Sequence, residues 1–212
     1  MHNLPEKLDA AQRHGLDIDL CYEDLFYVAG SLPGGATPSN HIVAAQAIRE
    51  MCDERGITVI CLQPFMHYEG LKDRQRHADR VEEMKLWLQL AKILGTDTIS
   101  IPSTFLSEQE ASGDFDLIVS DMREIADLCY PEGIQLSYEA LSWGTFCDTW
   151  EKSWEVVRHV DRPNFGICLD TFNIAARVYA DPTAPSGKNP SADEDMRLSL
   201  ERLVQTLSLI HI

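Results

Sequence analysis

Short β-favouring runs alternate with longer helical patterns along this chain, and that alternation constrains its fold more than any other feature. The runs are Ile18 to Glu23, Ile57 to Gln63, Thr98 to Pro102, Ile134 to Glu139 and Gly166 to Asp170. Between them the pattern predicts helices at Ser39 to Arg55, Asp79 to Leu94, Asp114 to Leu128 and Asp148 to Val160. Further helices are expected at Leu4 to His14 and Ala192 to Thr206. Gly56, Gly95 and Gly133 each follow a helical run, where glycine accommodates the left-handed terminal turn. A βαβα succession implies parallel strands joined by crossover helices.

Strand parity separates a barrel from an open doubly wound sheet. One face of the fourth run carries Gln135, Ser137 and Glu139, the other Ile134, Leu136 and Tyr138. The fifth sets Gly166, Cys168 and Asp170 against Ile167 and Leu169, and the first sets Asp19, Cys21 and Glu23 against Ile18, Leu20 and Tyr22. A parallel strand covered by helices on both sides should be apolar on both faces. These are apolar on one face and end in a charged residue, as in a barrel whose chemistry sits at the C-terminal strand ends. No G-x-G-x-x-G follows any strand, so dinucleotide binding has no support. The expected class is α/β, a (β/α)8 TIM barrel. A full barrel has eight strands and typically about 250 residues, so the expected barrel is incomplete, lacking its first strand and its last two or three units. In this reading residues 1–206 form a single partial domain, and 207–212 are a sixth short strand or a non-native tail.

The net charge of -16 repels phosphate backbones and anionic headgroups, which argues against nucleic-acid and membrane partners. An anionic substrate would have to be drawn in by local cations. No run approaches the roughly 20 apolar residues of a membrane helix, and the charged N-terminus is unlike a signal peptide. Six scattered cysteines without a C-x-x-C pair fit free thiols in a cytoplasmic protein. The oligomeric state stays open.

Glu139 and Asp170 end neighbouring strands, so their carboxylates should converge at the barrel mouth. Two carboxylates that close repel unless a proton or cation lies between them. Hard oxygen ligands suit Mg²⁺ or Mn²⁺, and other divalent ions if histidines join; otherwise each acid pairs with a local Lys or Arg. His67 sits in the loop after the second strand, either as a catalytic base or as a solvated side chain. Arg74 is either a clamp for an anionic substrate group or a helix-entry charge. Asn173 either faces the same cavity or caps the segment after the fifth strand. His77 and His159 read as helix-surface residues, and Trp87, Trp150 and Trp154 as packing.

At Gln63 to Arg74 (QPFMHYEGLKDR), Leu136 to Trp143 (LSYEALSW) and Asn164 to Pro182 (NFGICLDTFNIAARVYADP) the sequence resembles 3-dehydroshikimate dehydratases. These are the enzymes of quinate and shikimate catabolism, within the xylose-isomerase-like barrel superfamily. The resemblance runs from about Leu4 to Gln205. It implies a lyase that converts 3-dehydroshikimate, an anionic cyclic hydroxy-ketone acid, to protocatechuate and water. It also implies a divalent metal (Mg, Mn or Co) whose first two ligands match Glu139 and Asp170, the others lying beyond Ile212. His67 is then the candidate base, and Arg74 and Asn173 are candidate substrate contacts. Asp19 departs from the pattern, standing where such enzymes more often have Glu, and Thr206 to Ile212 do not follow the family's course. A sugar or sugar-phosphate isomerase or epimerase, built on the same barrel and metal, is the alternative, as is an inactive fragment. An endonuclease is disfavoured by the acidic charge.

Overall fold

A computed structural model describes residues 3–207. Five strands form one parallel sheet in sequential order: β1 (Ile18–Cys21), β2 (Val59–Gln63), β3 (Thr98–Pro102), β4 (Gln135–Glu139) and β5 (Phe165–Cys168). The helices are α1 (Leu4–His14), α2 (Tyr22–Gly30), α3 (Pro38–Asp53), α4 (Arg74–Leu94), α5 (Phe115–Cys129), α6 (Trp150–Val160), α7 (Thr171–Val178) and α8 (Ala192–Leu207). Parallel neighbours in chain order are what right-handed βαβ crossovers produce.

The strand register sorts the two faces as parity predicts. Asp19 lies opposite Cys61, Ser100 opposite Ser137, Ser137 opposite Gly166, and Glu139 between Pro102 and Cys168. The other face carries Leu20, Leu62, Ile99, Ile101, Leu136, Tyr138 and Phe165, all within one core with the helices. That core takes Ala45 and Ile48 from α3, Met84, Trp87 and Ala91 from α4, and Met122 and Ile125 from α5. Each large side chain moved from water into this layer stabilises the fold by about 1.5–3 kcal/mol. Trp87 stacks on Tyr22 at 4.6 Å and meets Phe65 edge-on at 5.2 Å. Trp150 is also buried and Trp154 packs against the core, as expected of them. At the start of β2 the pairing with β1 slips by one residue, and Ile60, the extra residue of this bulge, is exposed.

Several boundaries depart from expectation. The first strand stops at Cys21, and Tyr22 and Glu23 begin α2, which sequence periodicity missed. The run Phe26-Tyr27-Val28 is β-favouring, yet Leu25 and Ala29 share one buried helical face, and Glu23 and Asp24 suit the N-terminal end of the dipole. Similarly β5 ends at Cys168, and Asp170 caps α7 rather than ending a strand. Helix α4 starts at Arg74, five residues earlier than predicted, because the Asp73 side chain accepts from the Gln75 and Arg76 amides. His77 on α4 is buried, not at the surface. Leu207 closes α8, so no strand starts there, and the remaining residues of the expected tail lie outside the described ones. Among the described residues no helix is long and apolar enough to cross a membrane.

The β2–α4 loop is pinned to the β3–α5 loop through Gly70, whose carbonyl accepts from the Ser112 amide at 2.8 Å. Gly70 has φ +70°, and a Cβ there would lie 2.6 Å from the Ser112 carbonyl oxygen. Gly70→Ala should therefore cost about 2 kcal/mol from left-handed strain plus the clash. Urea unfolding measures it, and an unchanged midpoint would refute the tight approach.

Candidate active site at the C-terminal strand ends

Glu139 is the last residue of β4, and Asp170 follows β5 as the N-cap of α7. Asn173, one turn into α7, ties the two together. Its backbone amide donates to Asp170 Oδ1 at 3.0 Å, and its Nδ2 donates to Glu139 Oε1 at 2.9 Å. Its Oδ1 accepts from the Ser142 amide at 3.0 Å. The side chain is buried, so Asn173 orients Glu139 and the β4–α6 loop rather than lying open to a substrate. Burial first, and then the Asp170 carboxylate, push Glu139 up to about 7, against the Asn173 hydrogen bond. A pair that holds a proton at neutral pH is one that a cation would relieve. Cys168, opposite Glu139 in the register, is raised by burial to about 11 and is therefore a neutral thiol.

His67 lies in the loop after β2 with φ +55°, an uncommon conformation for a residue with a side chain. Its Nδ1 is 3.2 Å from Thr104 Oγ1, and its ring meets Phe105 edge-on at 4.4 Å. Burial lowers its pKa, and so do Arg76 and Arg80, with Glu110 opposing; the imidazole is neutral at physiological pH. The loop after β3 that holds it is hydrogen-bonded to its neighbours in turn. The Thr104 amide donates to Glu69 at 2.6 Å, and the Thr104 carbonyl accepts from Thr145 of the β4–α6 loop at 3.0 Å. Ser103 Oγ accepts from the Leu141 amide at 3.0 Å. Three successive strand-end loops are thus laced into one rim.

Glu69 was not singled out by the sequence, because an acid in a loop reads as solvated. It is fully buried behind the rim, with Oε1 accepting from Thr104 and, at 3.3 Å, from the Tyr138 hydroxyl. Among the described residues its Oε2 has no hydrogen-bond partner, and burial raises the group to about 7.

Arg74 does not join this rim. Its guanidinium bonds both carboxylate oxygens of Asp121 on α5, at 2.7 and 3.2 Å, and the Leu71 carbonyl at 3.2 Å. Of its two sequence readings, helix-entry charge is the one these contacts match. Around Asp121 the Gly70 amide also donates at 2.8 Å, while His77 Nε2 and the Tyr68 hydroxyl meet Glu124 at 2.6 and 3.3 Å. Ligand atoms of His77, Asp121 and Glu124 lie within 4.8 Å of one another, a group that could hold a metal ion. Arg74 already neutralises its buried carboxylate, and a cation there would have to displace the guanidinium. The signal that could have revealed the clasp is the i, i+3 spacing of Asp121 and Glu124 on a helix facing α4.

A 3-dehydroshikimate dehydratase of Neurospora crassa is 50% identical over 98% of this chain, and the chain spans 60% of that relative's length. A solved xylose isomerase-like TIM barrel/4-hydroxyphenylpyruvate dioxygenase fusion protein superposes with a TM-score of 0.70 at 32% identity, covering 82% of this chain and 25% of that one. The IolI protein, solved with a zinc atom, has the same fold, with a TM-score of 0.69 at 21% identity over 83% of this chain and 60% of that one. The Xylose isomerase-like TIM barrel family description matches residues 8–212. A parallel sheet with one small, polar face, its acids gathered at the C-terminal strand ends, is the structural counterpart of that match, and the chain belongs to the xylose isomerase-like TIM barrel family.

Proposed function

We propose that this chain contributes to a divalent-metal-dependent dehydratase that converts 3-dehydroshikimate to protocatechuate and water. The observation that supports it most is the joining of Glu139 and Asp170 through Asn173, in a chain half identical to a 3-dehydroshikimate dehydratase. Glu139 and Asp170 are the residues that would hold the metal, as Mg²⁺, Mn²⁺ or Co²⁺. They offer hard oxygen donors, and their mutual repulsion is what a cation relieves. A bound divalent cation supplies Lewis-acid stabilisation of negative charge growing on the ketone oxygen, often the largest catalytic contribution.

The chain's own residues do the rest of the work at this rim. Negative charge grows on the ketone oxygen as the neighbouring proton leaves, and His67 is the side chain placed to hydrogen-bond that oxygen. The substrate carboxylate is met by Arg76, a half-exposed cation whose field His67 feels: its partner Glu110 is a half-exposed surface acid that a ligand can displace, whereas Arg74 is held by the buried Asp121 carboxylate. Phe105, exposed beside His67, gives the ring an apolar wall.

Mn²⁺ titration followed by electron paramagnetic resonance tests the metal assignment. Glu139→Gln is expected to weaken binding at least about tenfold, a loss of roughly 1.4 kcal/mol, and His77→Ala to leave it unchanged. The reverse outcome would move the metal to the α4–α5 cluster. Protocatechuate absorbance after addition of 3-dehydroshikimate and metal tests the reaction itself, and its absence counts against the dehydratase reading.

A further inference from the structure

Thr104 is held at every polar atom. Its amide donates to Glu69 at 2.6 Å, its carbonyl accepts from Thr145 at 3.0 Å, and its Oγ1 accepts from the Leu106 amide at 3.2 Å. A hydroxyl has one hydrogen to donate. Among the described residues the acceptor for that hydrogen is His67 Nδ1, 3.2 Å away. The alternative, with Nδ1–H donating to Thr104, would leave the hydroxyl hydrogen without an acceptor in a residue that is 2% exposed.

We infer that Thr104 is a positioning residue that fixes His67 as the tautomer protonated on Nε2, so that His67 presents a hydrogen-bond donor, not a lone pair, to its ligand. The geometry supports a fixed ring as well as a fixed tautomer. The φ of +55° sets the side chain's origin, and the edge contact with Phe105 limits rotation about χ2. No group among the described residues bonds Nε2, which leaves that nitrogen for a ligand. The chemical class it takes is an oxygen acceptor, a ketone or carboxylate oxygen of the substrate. A neutral imidazole in this state polarises a carbonyl oxygen without giving up its proton. This inference rests on His67 lying against the substrate, and it replaces the base role expected from the sequence. Glu69 is the anchor beneath it, because its carboxyl fixes the Thr104 backbone.

The test is the ring-nitrogen spectrum of the ¹⁵N-labelled chain above neutral pH, with His67 assigned by loss of its signals in His67→Gln. A pyridine-type Nδ1 and a pyrrole-type Nε2 are expected. Thr104→Ser should preserve both resonances, whereas Thr104→Val should shift both toward the average of two exchanging tautomers. A pyridine-type Nε2 in the unmodified chain overturns the inference, and so does a Thr104→Val spectrum identical to the parent. No substrate enters this measurement. A chain with the expected tautomer that forms no protocatechuate therefore defeats the dehydratase reading alone.

Discussion

Replacing Asp121 by alanine should lower folding stability by about 3 kcal/mol, near the lower end of the range for breaking a buried ion pair. The carboxylate is 2% exposed and receives the Arg74 guanidinium on both oxygens, together with the Gly70 amide at 2.8 Å. His77 Nδ1 is buried 3.6 Å from the same oxygen, too far for a hydrogen bond. Alanine leaves the buried Gly70 amide with no acceptor, a desolvation cost of about 1–3 kcal/mol on top of the lost ion pair. Arg74 is half exposed and regains water, which keeps the loss from reaching the top of the range. Arg74→Ala should destabilise too, because it strips the counter-ion from a buried carboxylate. Urea unfolding of both variants decides between clasp and substrate clamp. If Arg74→Ala keeps the parental midpoint, the structural role given to Arg74 is wrong.

The second large effect concerns Glu69 and is seen as a pH dependence. Its carboxyl is raised by burial from 4.5 to about 7. The folded state therefore holds a proton that the unfolded chain has released between those values. For a raised acid the stabilising contribution is complete below about 4.5 and is lost as pH rises through about 7. At roughly 1.4 kcal/mol per pH unit this amounts to about 3 kcal/mol. Glu69→Gln keeps the shape and the acceptor for the Thr104 amide and cannot ionise. The two proteins should be equally stable near pH 4, with the glutamine variant pulling ahead up to pH 7 and the gap constant beyond. A difference between them that does not vary with pH would mean that Glu69 titrates alike in the folded and unfolded chain, so that burial does not raise it.

Local pattern made much of this protein legible. The alternation in Leu136-Ser137-Tyr138-Glu139 identifies both the core face of β4 and the end at which its acid emerges, since successive strand residues point to opposite sides. Helix α2 escaped because aromatic and β-branched residues at Phe26 to Val28 favour a strand locally, while the burial of Leu25 and Ala29 that makes the helix pay off is tertiary. Helix α7 escaped because Asp170 continues the strand's parity and caps the helix at once. His77 was misplaced because nothing in its own turn indicates that α5 would bring Asp121 and Glu124 against it.

By itself the amino-acid order determined the parallel βαβ plan, the polarity of each strand's faces and the meeting of Glu139 with Asp170. Those properties follow from side-chain direction along a single strand, which is fixed within a few residues. Only the folded chain decided who partners whom among the buried polar groups: Arg74 with Asp121 across 47 positions, Glu69 with Thr104 across 35 and with Tyr138 across 69. A desolvated donor or acceptor must find its complement wherever packing delivers one, and that choice is made by the approach of loops and helices distant along the chain.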